Sequence, residues 1–104
     1  MSDLPESFKP KSLVFRIRKQ YFDAILSGEK TVEYRKDSEY WKKRILNAKI
    51  AVFLCGKRVH RRRILQVQRI KTPDWFSEQG QKDVDTPTCL AFYLGSELKE
   101  TTIE

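Results

Sequence analysis

The chain has 104 residues, a net charge of +7, and 39% apolar against 34% charged residues. That length holds one domain and not two with separate cores, and the lean apolar share suits a small α+β barrel better than a large sheet enclosed by helices. Two cysteines without a CxxC pair and a single histidine argue against a zinc site, and no window approaches ~18 uninterrupted apolar residues, so no membrane-spanning helix is expected.

Residues 1–11, polar with two prolines, read as a loose arm ahead of a single domain over 12–104. They lack the apolar core of a signal peptide, so the expected location is cytoplasmic, with Cys55 and Cys89 as reduced thiols. LVFRIR, Leu13 to Arg18, alternates Leu13, Phe15 and Ile17 against Arg16 and Arg18, the period of a half-buried strand. In KQYFDAILSG the residues Tyr21, Phe22, Ile25 and Leu26 recur at helical spacing, and Gly28 can take the left-handed conformation that stops a helix.

KTVEYR, Lys30 to Arg35, returns to period two, with Lys30, Val32 and Tyr34 on one face and Thr31, Glu33 and Arg35 on the other. Tyr40, Trp41, Arg44 and Ile45 lie three and four apart, which predicts a helical turn or two within Ser38 to Asn47. KIAVFLC, Lys49 to Cys55, is nearly continuous apolar sequence and predicts a central strand buried on both faces, with Cys55 as a small buried hydrophobe. Gly56 opens a turn longer than two residues, and Arg61 to Ile70 pairs back as a hairpin. Thr72 to Thr88, broken by Pro73, Gly80 and Pro87, reads as a long loop or short helix pinned by Trp75 and Phe76. Cys89 to Gly95 is the last strand, followed by a tail expected to fray.

Charge is unevenly placed. Residues 46–71 carry eight basic residues and no acidic one, and Lys57 to Arg63 holds five cations in seven residues. Such a concentration attracts polyanions. It lies on a turn and strand with no amphipathic helix to insert apolar bulk, so a nucleic acid is expected in preference to a membrane surface.

The segment YFDAILSGEKTVEYR carries Gly28, Lys30, Glu33 and Arg35 in a Gly-x-Lys-x-x-Glu-x-Arg pattern. With the element order around it, from Leu13 to Leu94, it resembles the ASCH family, small β-barrel domains with short flanking helices that are similar to the PUA RNA-binding domain. The resemblance implies a nucleic-acid or nucleotide ligand, with the motif lining a cleft. It also implies an alternative, since some small members resemble amidohydrolases that deacylate modified nucleosides through a lysine, a threonine three residues later and a distant glutamate. Others are linked to RNA cleavage. Here the residue three after Lys30 is Glu33, and a carboxylate cannot stand in for an alkoxide nucleophile.

The favoured reading is therefore a module for RNA, another single-stranded nucleic acid or a modified nucleoside. Lys30, Glu33 and Arg35 form a cleft wall; Lys57, Arg58, His60, Arg61, Arg62 and Arg63 contact phosphates at the same hollow; and Tyr40 is a stacking ring, with Trp41 assigned to the core beside Ile45. Lys30 can join Glu33 and Arg35 only if the backbone bends near Gly28. The hydrolase alternative uses Lys30 as base and Glu33 as orienting acid, with Thr31 the nearest hydroxyl, although Thr31 and Lys30 leave a regular strand on opposite faces. His60 among cations is expected to be neutral and to lie at the surface. A third reading is a protein-interaction domain whose basic face takes an acidic partner. No cofactor or metal is expected.

Overall fold

The structure is a computed structural model that describes residues 11–98. The expected N-terminal arm lies outside these residues except for Lys11, and so does the tail beyond residue 98. Strand β1 (Lys11–Arg16) buries Leu13 and Phe15 and turns Ser12, Val14 and Arg16 outward. Helix α1 (Lys19–Ser27) buries Phe22 and Ile25 and ends at Gly28, whose φ of 89° is the left-handed region that a glycine enters without a Cβ clash. Leu26, read from spacing as part of the apolar face, is instead exposed.

Strand β2 (Val32–Lys36) starts two residues later than its pattern suggested. The reason is local: the Lys30 N–H donates to the Ala24 carbonyl at 3.0 Å, so Glu29 to Thr31 leave the helix in a bend before pairing begins. Helix α2 (Glu39–Lys42) is a single turn. Strands β3 (Ala48–Cys55) and β4 (Arg58–Lys71) form the hairpin. Its turn is shorter than expected, because Cys55 pairs with Arg58 and leaves only Gly56 and Lys57 between them. Gly56 supplies the positive φ, 61°, that so tight a connection needs.

Helix α3 (Glu78–Val84) occupies the segment between Thr72 and Thr88. The Ser77 side chain caps it by accepting from the Gly80 N–H, so Gly80 lies inside the helix and does not break it. Strand β5 (Thr88–Leu98) is longer than Cys89 to Gly95 on both sides.

The five strands make one mixed sheet in the order β1-β3-β4-β5-β2, parallel between β1 and β3 and antiparallel elsewhere. It curls into a half-barrel whose first and last strands approach across an open seam, where Arg35 Nη2 donates to the Arg16 carbonyl at 3.2 Å. Phe15 sits at the centre of the concave core, stacked on Trp41 and Phe53 and meeting Phe92 edge-on. Burial along β3 alternates, with Ala51 and Phe53 inside and Ile50, Val52 and Leu54 half-buried, which corrects the expectation of a strand buried on both faces. A single curled layer has only one inner face, so even an aliphatic strand leaves its outer side partly in water. Cys55, also expected to be buried, is half-buried at the end of that strand, and both thiols are free. Among the described residues no helix is long and apolar enough to cross a membrane.

Candidate functional site

The open seam holds a cavity of about 1000 Å³, bounded by the end of β1, the start of α1, β2 and the segment carrying α3. Glu33 projects inward from β2 and is only 6% exposed. A carboxylate so placed must be paired. Arg35 Nε and Nη2 both lie 2.9 Å from its Oε2, and Lys30 Nζ lies 3.3 Å from its Oε1. The bend after Gly28 thus brings Lys30 to the same carboxylate as Arg35, which a straight strand would prevent.

Each cation is further positioned. Lys30 Nζ donates to the Val32 carbonyl at 2.7 Å and lies over the rings of Tyr21 and Tyr34. The Arg35 guanidinium lies 5.0 Å from the Phe15 ring centre and 5.4 Å from that of Trp41. On the other side of β2, Tyr34 meets Trp75 and Phe76 edge-on, and burial raises its hydroxyl pKa. At the rim, Arg18 Nη1 donates to Asp83 Oδ2 at 2.8 Å and ties the head of α1 to α3. That hydrogen bond holds the Asp83 carboxyl below its ordinary pKa. The lining carries Arg16, Arg18, Lys30, Arg35 and Lys36 against Glu29, Glu33 and Asp83, a positive surplus.

The basic hairpin does not share this hollow. None of Lys57, Arg58, His60, Arg61, Arg62 and Arg63 lines the cavity. The cause is strand order: β4 is the middle strand of the sheet, and the cavity lies at the seam between its two edges. Arg58 bonds Asp23 at 3.1 Å and lies over Phe22, while Arg62 donates to the carbonyls of Gly95 and Ile25 and so staples β4 to β5 and α1. Arg61 is half-exposed, and Lys57 and Arg63 are exposed.

His60, expected at the surface, is buried opposite Phe53 and edge-on to Phe22, with Nδ1 3.8 Å from Glu97 Oε2 and Nε2 unpartnered. Burial lowers its pKa and Arg62 adds to this, while Glu97 opposes both. The unfolded chain, with a histidine pKa of about 6.5, therefore binds this proton more readily than the folded one. Stability from this group is complete above that pKa and declines as pH drops below it. Thermal melts should show Tm falling from pH 7 to pH 5, and His60→Phe should reduce that fall.

Two aromatic assignments also change. Tyr40 is 55% exposed beneath the Arg44 guanidinium and does not line the cavity, whereas Trp41 both packs on the core and lines it. Trp75, read as a loop anchor, is 70% exposed at the cavity wall. Arg16, Arg18, Tyr21 and Asp83 were not singled out from sequence, although the outward alternation of Arg16 in β1 was visible. Among the described residues no cluster of three or more His, Cys, Asp or Glu side chains is arranged to hold a metal ion.

No family model and no curated protein matches this sequence. Among solved structures, a serine-to-alanine mutant of ZmASCH from Zymomonas mobilis is similar to it, with a TM-score of 0.60 and 21% identity over 83% of this chain and 68% of that one. At that identity the match shows a shared fold: this chain is a small α+β half-barrel of five strands with three short helices, similar in fold to that ASCH protein.

Proposed function

We propose that this chain is a nucleic-acid-binding module that receives an unstacked base of single-stranded RNA in the seam cavity. The observation that carries this reading is the buried Glu33 carboxylate, gripped by Lys30 and Arg35 between aromatic walls. A carboxylate at the end of a slot accepts from an exocyclic amine, as on cytosine or adenine, and the flanking cations offer donors to ring nitrogens, carbonyls or phosphate. Tyr21, Tyr34 and Trp41 supply ring faces of the kind on which unpaired bases stack. The positive surplus of the lining, with Lys57 and Arg63 on the separate hairpin surface, draws the phosphate backbone.

Equilibrium titration with short single-stranded RNA at low salt tests the proposal. Saturable binding, and nucleic acid carried through purification, are the expected results; an absence of binding at low salt would remove it.

One observation favours a second reading, a hydrolase of N-acylated cytidine: Thr31 and Lys30 line the same cavity beside Glu33. The hydrogen bonds work against it. Lys30 is engaged by Glu33 and the Val32 carbonyl, and among the described residues the Thr31 hydroxyl has no bond to either Lys30 or Glu33. Incubation with N4-acetylcytidine should release no cytidine; release that Lys30→Ala abolishes would assign the enzyme instead.

A further inference from the structure

We infer that the ligand spans at least two nucleotides, the second base stacking on Trp75 at the outer wall of the cavity and the linking phosphate meeting Lys36. This rests on the base-binding reading above and narrows it from a nucleoside to a strand.

Trp75 is the less buried of the two tryptophans by a wide margin, for Trp41 is packed on Phe15 and Phe92. A loop anchor buries its ring. Here Phe76 does the anchoring, against Tyr34 at 5.0 Å and against Gly80 in α3. Trp75 stays 70% exposed, yet its orientation is fixed by edge contacts to Tyr34 at 5.7 Å and Phe76 at 4.9 Å, both at an interplanar angle of 75°.

The backbone beneath is fixed as well. The Phe76 N–H donates to the Pro73 carbonyl, Gln81 Nε2 donates to the same oxygen, and Ser77 caps the helix that follows. The result is an indole held in place by its neighbours and open to solvent, at the wall of a cavity whose inner end is already polar. Stacking a base on such a ring removes apolar surface from water at little ordering cost.

Lys36 supplies the second half. It lies two residues from Tyr34 and so on the same side of β2 as the Tyr34, Trp75 and Phe76 cluster. It lines the cavity, is exposed, and among the described residues has no carboxylate partner. A cavity of about 1000 Å³ stands at the upper end of small-molecule sites, more room than one nucleoside fills. A free cation on the same cavity wall as a presented ring suits the phosphate and base of an adjoining residue.

The test compares CMP with CpC, and AMP with ApA, by calorimetric titration of the wild type, Trp75→Ala and Trp75→Phe. The wild type should bind the better dinucleotide roughly ten- to hundredfold more tightly than its mononucleotide. Trp75→Ala should reduce that ratio to near one with mononucleotide affinity unchanged, and Trp75→Phe should restore most of it. A wild-type ratio near one, or a Trp75→Ala ratio equal to that of the wild type, would overturn the inference while leaving the base site intact. An equal loss for mono- and dinucleotide would overturn it too, making Trp75 a wall of the first base's pocket. A wild type that binds none of the four would overturn the base-binding reading itself.

Discussion

Replacing Glu33 by glutamine is expected to lower Tm by roughly 10–30 °C and to abolish base-dependent binding together. The carboxylate is the one acidic group between Lys30 and Arg35, and both cations are largely shielded, with about a fifth of each side chain exposed. Glutamine keeps the volume and an acceptor but removes the charge. Two like charges then face each other in a partly dry site, with only the more distant Asp83, itself bonded to Arg18, acting on Arg35. Breaking such a buried pair costs about 2–4 kcal/mol, less than in a sealed interior because Lys30 and Arg35 can relax toward water. For a domain of this size each kcal/mol moves Tm by roughly 4–8 °C. The double variant Lys30→Met with Glu33→Gln should recover part of the loss, since it removes one of the stranded cations. Circular dichroism melts check both statements. Equal stability of wild type and Glu33→Gln would mean that solvent already screens the cluster.

The second large effect is on salt. RNA affinity should fall roughly twenty- to hundredfold between 50 and 200 mM monovalent salt. Each phosphate neutralised on a single strand contributes a slope of about −0.7 in log K against log salt, and three to five contacts give about −2 to −4. The structure narrows which cations count. Arg18 is held by Asp83, Arg58 by Asp23, and Arg62 is turned to main-chain carbonyls. Arg16, Lys36, Lys57 and Arg63 remain exposed. Lys57→Ala with Arg63→Ala should therefore reduce the slope by about 1.4 while leaving the preference among bases unchanged. An unchanged slope in that double variant would show that the hairpin surface does not touch the strand.

Local pattern revealed most of the architecture and about half of the site. Period-two alternation located β1 and β2, helical spacing located α1, and Gly28 marked its end, because each of these is decided by neighbours in the chain. The convergence of Lys30 with Glu33 and Arg35 was legible as a condition, a bend after the glycine, and the Lys30 to Ala24 hydrogen bond supplies it. What stayed hidden depended on long-range pairing. Nothing in CGKRVHRRR states that its strand will be the third of five, away from the seam. His60 and Arg62 belong to the inward-facing set of β4, but their alternation with Val59 and Arg61 was masked by charge, and only the register against Phe53 reveals it. Trp41 reaches the core as its spacing to Ile45 suggested, but that it also lines the cavity and that Trp75 stays in solvent depend on which segments close over the half-barrel, and that is not written within a few residues of either ring.

The most direct test of the seam cavity as the ligand site is a residue-resolved amide and indole NMR titration of the full chain with CpC and ApA. Binding where proposed shifts Tyr21, Lys30 to Lys36 and the Trp75 indole N–H, with the hairpin around Gly56 nearly silent for these short ligands. Shifts confined to Lys57 through Arg63, with the seam unmoved, would contradict it.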